Sequence, residues 1–141
     1  MEDLKKQHRD FVHSTIVRMN TNSFQIKGLV ITLVAAFLGV FGSSSNILFV
    51  YIPLPFIIIS YLLDAYYLQL ERKFRGIYED ICDLTPDDCK KTFSIYEMEP
   101  KLYSGGRYSY FKVLFSLQLI LLYWSLIISL ISVIFYKSYF S

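Results

Sequence analysis

GLVITLVAAFLGVFGSSSNILFVYIPLPFIIISYLL, residues 28–63, contains no Asp, Glu, Lys, Arg or His. An apolar run of this kind is what a bilayer requires, because about 20 residues at ~1.5 Å rise cross a hydrocarbon layer ~30 Å thick. Backbone groups surrounded by lipid must bond within their own segment, so the run folds as helix. Its 36 residues are too many for one crossing. Gly42-Ser43-Ser44-Ser45-Asn46 divides it with turn-forming residues, giving a helix over about 23–41 and a second over about 47–68. Pro53 and Pro55 fall in the first turns of the second helix, where a missing amide donor does least harm.

A second uncharged run, Val113 to Tyr136, predicts a third span over 110–136. Hydrophobic residues make up 54 % of the 141-residue chain and charged ones 18 %, below the roughly 25 % of an average soluble domain. Val40 and Gly42 sit where a secretory signal could be cut. The preceding segment is too long and mixes acidic with basic residues, which argues for a retained helix. The expected fold is therefore an all-α membrane protein with three transmembrane helices.

Charge bias sets the expected topology. Lys5, Lys6, Arg9, Arg18 and Lys27 precede the first span, eight basic residues from Arg72 to Lys112 lie between the second and third, and only Lys137 follows. Basic residues concentrate on the cytoplasmic side of a membrane. The reading is a cytoplasmic amphipathic helix over 1–22, spans one and two within 23–68, a cytoplasmic region over 69–109, span three over 110–136 and an external tail over 137–141. The expected location is the bacterial inner membrane, N-terminus inside and C-terminus outside.

In the N-terminal helix Leu4, Phe11, Ile16 and Met19 can share one side, with Lys5, Lys6, Arg9 and Asp10 elsewhere. His8 and His13 match no metal spacing and read as polar-face histidines. Leu63, Tyr67, Leu70, Phe74, Ile77, Ile81 and Leu84 repeat at intervals of three and four, so the second span continues as one helix to about Leu84. This cytoplasmic extension needs a partner, either the N-terminal helix or another subunit. Glu71–Arg75 and Arg75–Glu79 are four apart and can pair along the exposed side of the helix. Thr85-Pro86-Asp87-Asp88 reads as the start of a short helix to about Lys91, and Thr92 to Met98 as extended. Pro100 and Gly105-Gly106 mark the return to the membrane. Cys82 and Cys89, without thiol or histidine partners nearby, read as small hydrophobes.

Four features bear on function. Gln118, Ser125, Ser129 and Ser132 lie on one face of span three and must meet protein or water. They are candidate pore-lining residues, although a hydrogen-bonded seam between helices is the better reading of the stripe by itself. Gly28, Thr32, Ala35 or Ala36, and Gly39 form a small-residue face on span one that suits close helix packing. Asp64 at the margin of span two is either an ion-path or gating acid, or an interfacial acid among Tyr61, Tyr66 and Tyr67. Arg72, Lys73, Arg75, Lys90, Lys91, Lys101 and Arg107 could hold an anion such as a nucleotide backbone, with neighbouring aromatic residues to stack bases. Topological bias alone would also concentrate these basic residues on one side, and is the simpler account. Phosphate loops, HExxH and nucleophile elbows are lacking, so no enzyme, cofactor or metal site is expected.

Two segments go beyond generic pattern. Asn22-Ser23-Phe24-Gln25-Ile26-Lys27-Gly28 leads into span one, and Leu63-Asp64-Ala65-Tyr66-Tyr67-Leu68-Gln69-Leu70-Glu71-Arg72-Lys73-Phe74-Arg75-Gly76-Ile77-Tyr78 leaves span two. Over roughly residues 8–80 the chain resembles a widespread bacterial family of small multi-span membrane proteins, with Ile77 where the family pattern has leucine. Functionally it is similar to the Hailong-type anti-phage membrane effectors. That resemblance implies a homo-oligomeric ion channel, as a tetramer, controlled by an oligonucleotide made by a partner nucleotidyltransferase. By motif position it singles out Asp64, Glu71, Arg72 and Arg75 without fixing their individual roles; Asp64, Glu71 and Arg75 are the gating or interface candidates, and Arg72 stands with the ligand candidates. A non-conducting signalling or structural subunit, and a pore-forming toxin needing no ligand, are the alternatives.

Overall fold

The computed structural model describes residues 2–82, 84, 86 and 99–140. Helices α1 (Glu2–Ser44), α2 (Leu48–Tyr51), α3 (Pro53–Ile81), α4 (Tyr110–Leu114) and α5 (Leu117–Phe140) account for most of them. Two 3-10 turns, Pro100–Leu102 and Gly106–Tyr108, precede α4, and there is no strand among the described residues. Three stretches are long and apolar enough to cross a membrane: within α1, from α2 through α3, and within α5. Only 11 to 28 % of each apolar window is buried inside the chain, so most of that surface needs lipid or a neighbouring protein. The chain is an all-α membrane protein with three spanning helices.

The boundaries follow from local chemistry. Ser45, in the left-handed region at φ 54°, closes α1 through its amide on the Phe41 carbonyl. The Asn46 side-chain oxygen accepts from the Leu48 amide at the start of α2. Pro53 then opens α3, so the second span carries a break one turn from its start. The third span also differs from expectation. It is interrupted at Phe115-Ser116, and α5 continues through 137–140, the residues read as an external tail. The break frees the Leu114 carbonyl, which accepts the Tyr61 hydroxyl, while the Ser116 carbonyl accepts from Leu119 and Ile120.

The residues form two compact units. The charged unit comprises 1–23 and 66–113, and the apolar unit 24–65 and 114–141. In the charged unit Val12, Ile16, Ile77 and Tyr103 form a buried cluster, flanked by Phe74, Tyr78, Ile81 and Tyr108. Burying such side chains stabilises by ~1.5–3 kcal/mol each. Of the two partners open to the extension of α3, the N-terminal helix therefore provides one within the same chain. The inward face of that helix is His8, Val12, Thr15, Ile16 and Ser23. Leu4 and Phe11, expected to line it, are exposed, as is Leu84 at the far end of the α3 stripe. His8 is 2 % exposed and not on a polar face, and burial lowers its pKa from the ordinary histidine value. His13 stays outside, its ring 6.0 Å from that of Tyr78.

Tyr103 and Tyr108 sit against Gly76 so closely that a Cβ there would lie 2.6 Å from the Tyr108 hydroxyl. The Tyr103 hydroxyl donates to the buried Asp80 carboxylate, and Gln69 donates to the Tyr108 carbonyl at 2.9 Å. Gly105 and Gly106, both at positive φ, make the turn that brings Arg107 and Tyr108 onto α3. The short helix expected after Thr85 and the extended segment 92–98 lie outside the described residues.

Candidate functional site

Asp64 is fully buried. A carboxylate in that position is costly unless a cation and hydrogen-bond donors compensate it. Lys27 supplies the cation, its Nζ lying 2.9 Å from Oδ2 and 3.0 Å from Oδ1. Tyr123 supplies the donor, 3.3 Å from Oδ2, and its ring meets that of Tyr61 edge-on at 5.3 Å. The group draws one residue from each spanning helix: α1, α3 and α5. The cation that a buried carboxylate requires is thus supplied from within the chain, by Lys27. What the linear reading missed is the pairing itself, since Lys27 and Asp64 are 37 residues apart.

The polar stripe of α5 has an unexpected direction. Leu119, Tyr123 and Leu130 form the buried side of the helix, whereas Gln118, Ser125, Ser129 and Ser132 are all exposed. The four polar residues are therefore not part of the side that α5 buries against the chain's own helices. Ser125 donates its hydroxyl to the Leu122 carbonyl at 2.7 Å, which satisfies its proton and leaves oxygen lone pairs for another partner. The small-residue face of α1 also points away from the rest of the chain. Val30 and Val34 are buried, but Gly28, Thr32, Ala35, Ala36 and Gly39 are exposed. A Cβ at Gly28 or Gly39 would meet nothing within 4 Å.

Three of the candidate cationic side chains converge in the charged unit. Arg72, Arg75 and Arg107 line a cavity of about 190 Å³. Arg72 and Arg75 are three apart and share a face of α3. Arg107 arrives on the 3-10 turn Gly106–Tyr108, whose carbonyl at Arg107 accepts from Arg72 at 3.4 Å. Glu71 pairs with Arg75 at 2.6 Å as expected, but Glu71 is buried and not on an exposed side. Glu79 pairs with Arg107 at 2.5 Å, where the spacing had suggested Arg75. The Glu79 hydrogen bond, followed by that of Tyr108, holds the Arg107 guanidinium above the ordinary arginine value. Lys73 is half-buried and Lys101 exposed, and neither lines the cavity. Lys90 and Lys91 lie outside the described residues.

Fold and site together define a three-span, all-α membrane protein that carries a buried charge cluster in its apolar unit and an arginine-lined cavity in its charged unit. No protein family, curated protein or solved structure was found to match the chain.

Proposed function

We propose that this chain is one subunit of a homo-oligomeric ion channel of the bacterial inner membrane, regulated by a nucleotide or oligonucleotide in anti-phage defence. The observation that carries the oligomer is the outward direction of the α5 polar stripe, Gln118, Ser125, Ser129 and Ser132. An amide and three hydroxyls on one side of an otherwise apolar helix are better satisfied by protein or water than by lipid. The small-residue face of α1 supports the same reading, because small residues let a neighbouring backbone approach closely. The α1 face meets a different surface of the neighbouring subunit, a head-to-tail contact that closes into a ring and leaves the α5 stripe free. In such a ring α5 lines the path.

The conducting role and its oligonucleotide control rest on the resemblance to the Hailong-type effectors. Charge bias supports an N-terminus and charged unit in the cytoplasm and a C-terminus outside. Lys27, Asp64 and Tyr123 hold the three spans in register within each subunit, a positioning role. The test is purification in detergent, followed by reconstitution into planar bilayers with and without oligodeoxynucleotides. An oligomer carrying discrete, oligonucleotide-sensitive currents is expected. A monomer that passes no ions under either condition would overturn the reading.

A further inference from the structure

The cavity among Arg72, Arg75 and Arg107 concentrates three guanidinium groups at one place in the charged unit. We propose that it is a binding site for a single phosphate group of a phosphate ester. Its volume, about 190 Å³, lies below the ~300–1,000 Å³ of sites that enclose whole small molecules. It suits the anionic end of a ligand whose remainder lies outside. Guanidinium is the group whose planar fork best matches phosphate oxygens, because each presents five N–H donors.

Among the described residues, the carboxylates paired with Arg75 and Arg107 do not oppose this role. Glu71 engages one terminal nitrogen of Arg75, and Glu79 one terminal nitrogen of Arg107. A guanidinium so engaged has further N–H groups for a second acceptor. Both arginine side chains are more than half exposed, at 59 and 57 %. Each guanidinium thus keeps a solvent-facing side on which a second acceptor can dock. Glu71 is itself buried, so a ligand that pulled Arg75 away would strand its charge. The phosphate therefore adds to these pairs and does not replace them. Arg107 is held by its backbone contact to Arg72 and by the Tyr108 ring, 5.0 Å from its guanidinium carbon. The donor set is thus built before the ligand arrives.

Two sources supply this chemistry: an acidic phospholipid headgroup, or a soluble nucleotide or pyrophosphate. The inference gives the ligand-regulated reading above a location, but binding does not depend on conduction. The full chain is placed in phosphatidylcholine nanodiscs. Pyrophosphate or ATP is titrated in solution, and phosphatidylglycerol is introduced into separate discs. Binding is followed by calorimetry for the soluble probes, and by native mass spectrometry for retained lipid. Binding of either probe, weakened about ten- to a hundredfold in Arg72→Gln and less in Arg72→Lys, is the expected result. Lys101→Gln, which alters an exposed lysine that does not line the cavity, should stay within about twofold of the parent. Response to lipid alone assigns the headgroup, and response to the soluble probes alone assigns the free ester. No binding of any probe, or equal losses in Arg72→Gln and Lys101→Gln, overturns the proposal. A chain that conducts but binds no probe refutes this site and leaves the channel standing. One that binds but never conducts does the reverse.

Discussion

At the residue scale the decisive interaction is the one around Asp64. Its carboxylate has no exposure, and Lys27 contacts both of its oxygens. Neutralising one member leaves the other as an uncompensated buried charge, which in proteins costs about 3–5 kcal/mol. Replacing both with apolar or neutral groups of similar size costs far less. Lys27→Met and Asp64→Asn should each lower the midpoint of denaturant unfolding in detergent, and the double variant should recover most of the loss. Strict additivity of the two losses would show that the pair does not act as a unit. Gly76 offers a second test, from sterics. Any Cβ at that position collides with the Tyr108 hydroxyl and the Tyr103 ring. Gly76→Ala should destabilise the charged unit by about 1–3 kcal/mol, seen as faster proteolysis around 99–109, while Gly28→Ala should have no such effect. His8 supplies the pH dependence. Its folded-state pKa lies below the unfolded value of ~6.5, so the packed form is favoured above that pH and loses stability as the pH falls through it. Amide protection factors over residues 8–16 should decrease between pH 7.5 and 5.5 in the parent chain but not in His8→Phe.

At the element scale, the helices were legible and their facing was not. Uncharged runs with turn residues between them announce spanning helices because lipid tolerates little else. The break at Phe115-Ser116 carries neither glycine nor proline, and its stabilising contact, the Tyr61 hydroxyl on the Leu114 carbonyl, comes from residues far away in sequence. Facing fails for a related reason. In water a polar stripe marks the outside of a helix, whereas in lipid both sides can be apolar and only the third dimension says which is inward. Val12 and Ile16 are no more hydrophobic than Leu4 and Phe11, yet the former are buried and the latter exposed. The cavity was partly visible as a set of basic residues. Its membership depends on Gly105 and Gly106 turning Arg107 back onto α3, which composition alone cannot convey. The outward faces carry their own prediction. Gly39→Leu adds volume where a Cβ meets nothing in the chain, so the subunit should fold normally. If α1 packs against a neighbouring subunit, the same change should shift the detergent-solubilised protein to smaller assemblies on native gels. An unchanged distribution would exclude this face from the contact.

At the scale of the whole molecule, the question is what satisfies surface that the chain does not cover for itself. Leu29, Ile58, Ile59, Leu121 and Ile128 are each more than half exposed, and a bilayer suffices for these. It suffices less well for Gln118, whose side-chain amide has two donors and an acceptor to satisfy. A serine can turn its proton to its own helix, as Ser125 does, but its oxygen still prefers water, a donor or a cation. If these residues line an aqueous path, cysteines placed at Ser125, Ser129 and Ser132 should react with membrane-impermeant thiol reagents and alter the current. Cysteines at Leu119 and Leu130, on the buried side, should not. The background must first lack Cys82 and Cys89, and each variant must retain its assembly on native gels. If the stripe is instead a dry seam between subunits, none of the five positions should react, while oxidation should cross-link the serine-derived cysteines between copies. The two patterns differ because a pore leaves the stripe facing water, and a seam consumes it in contacts between helices.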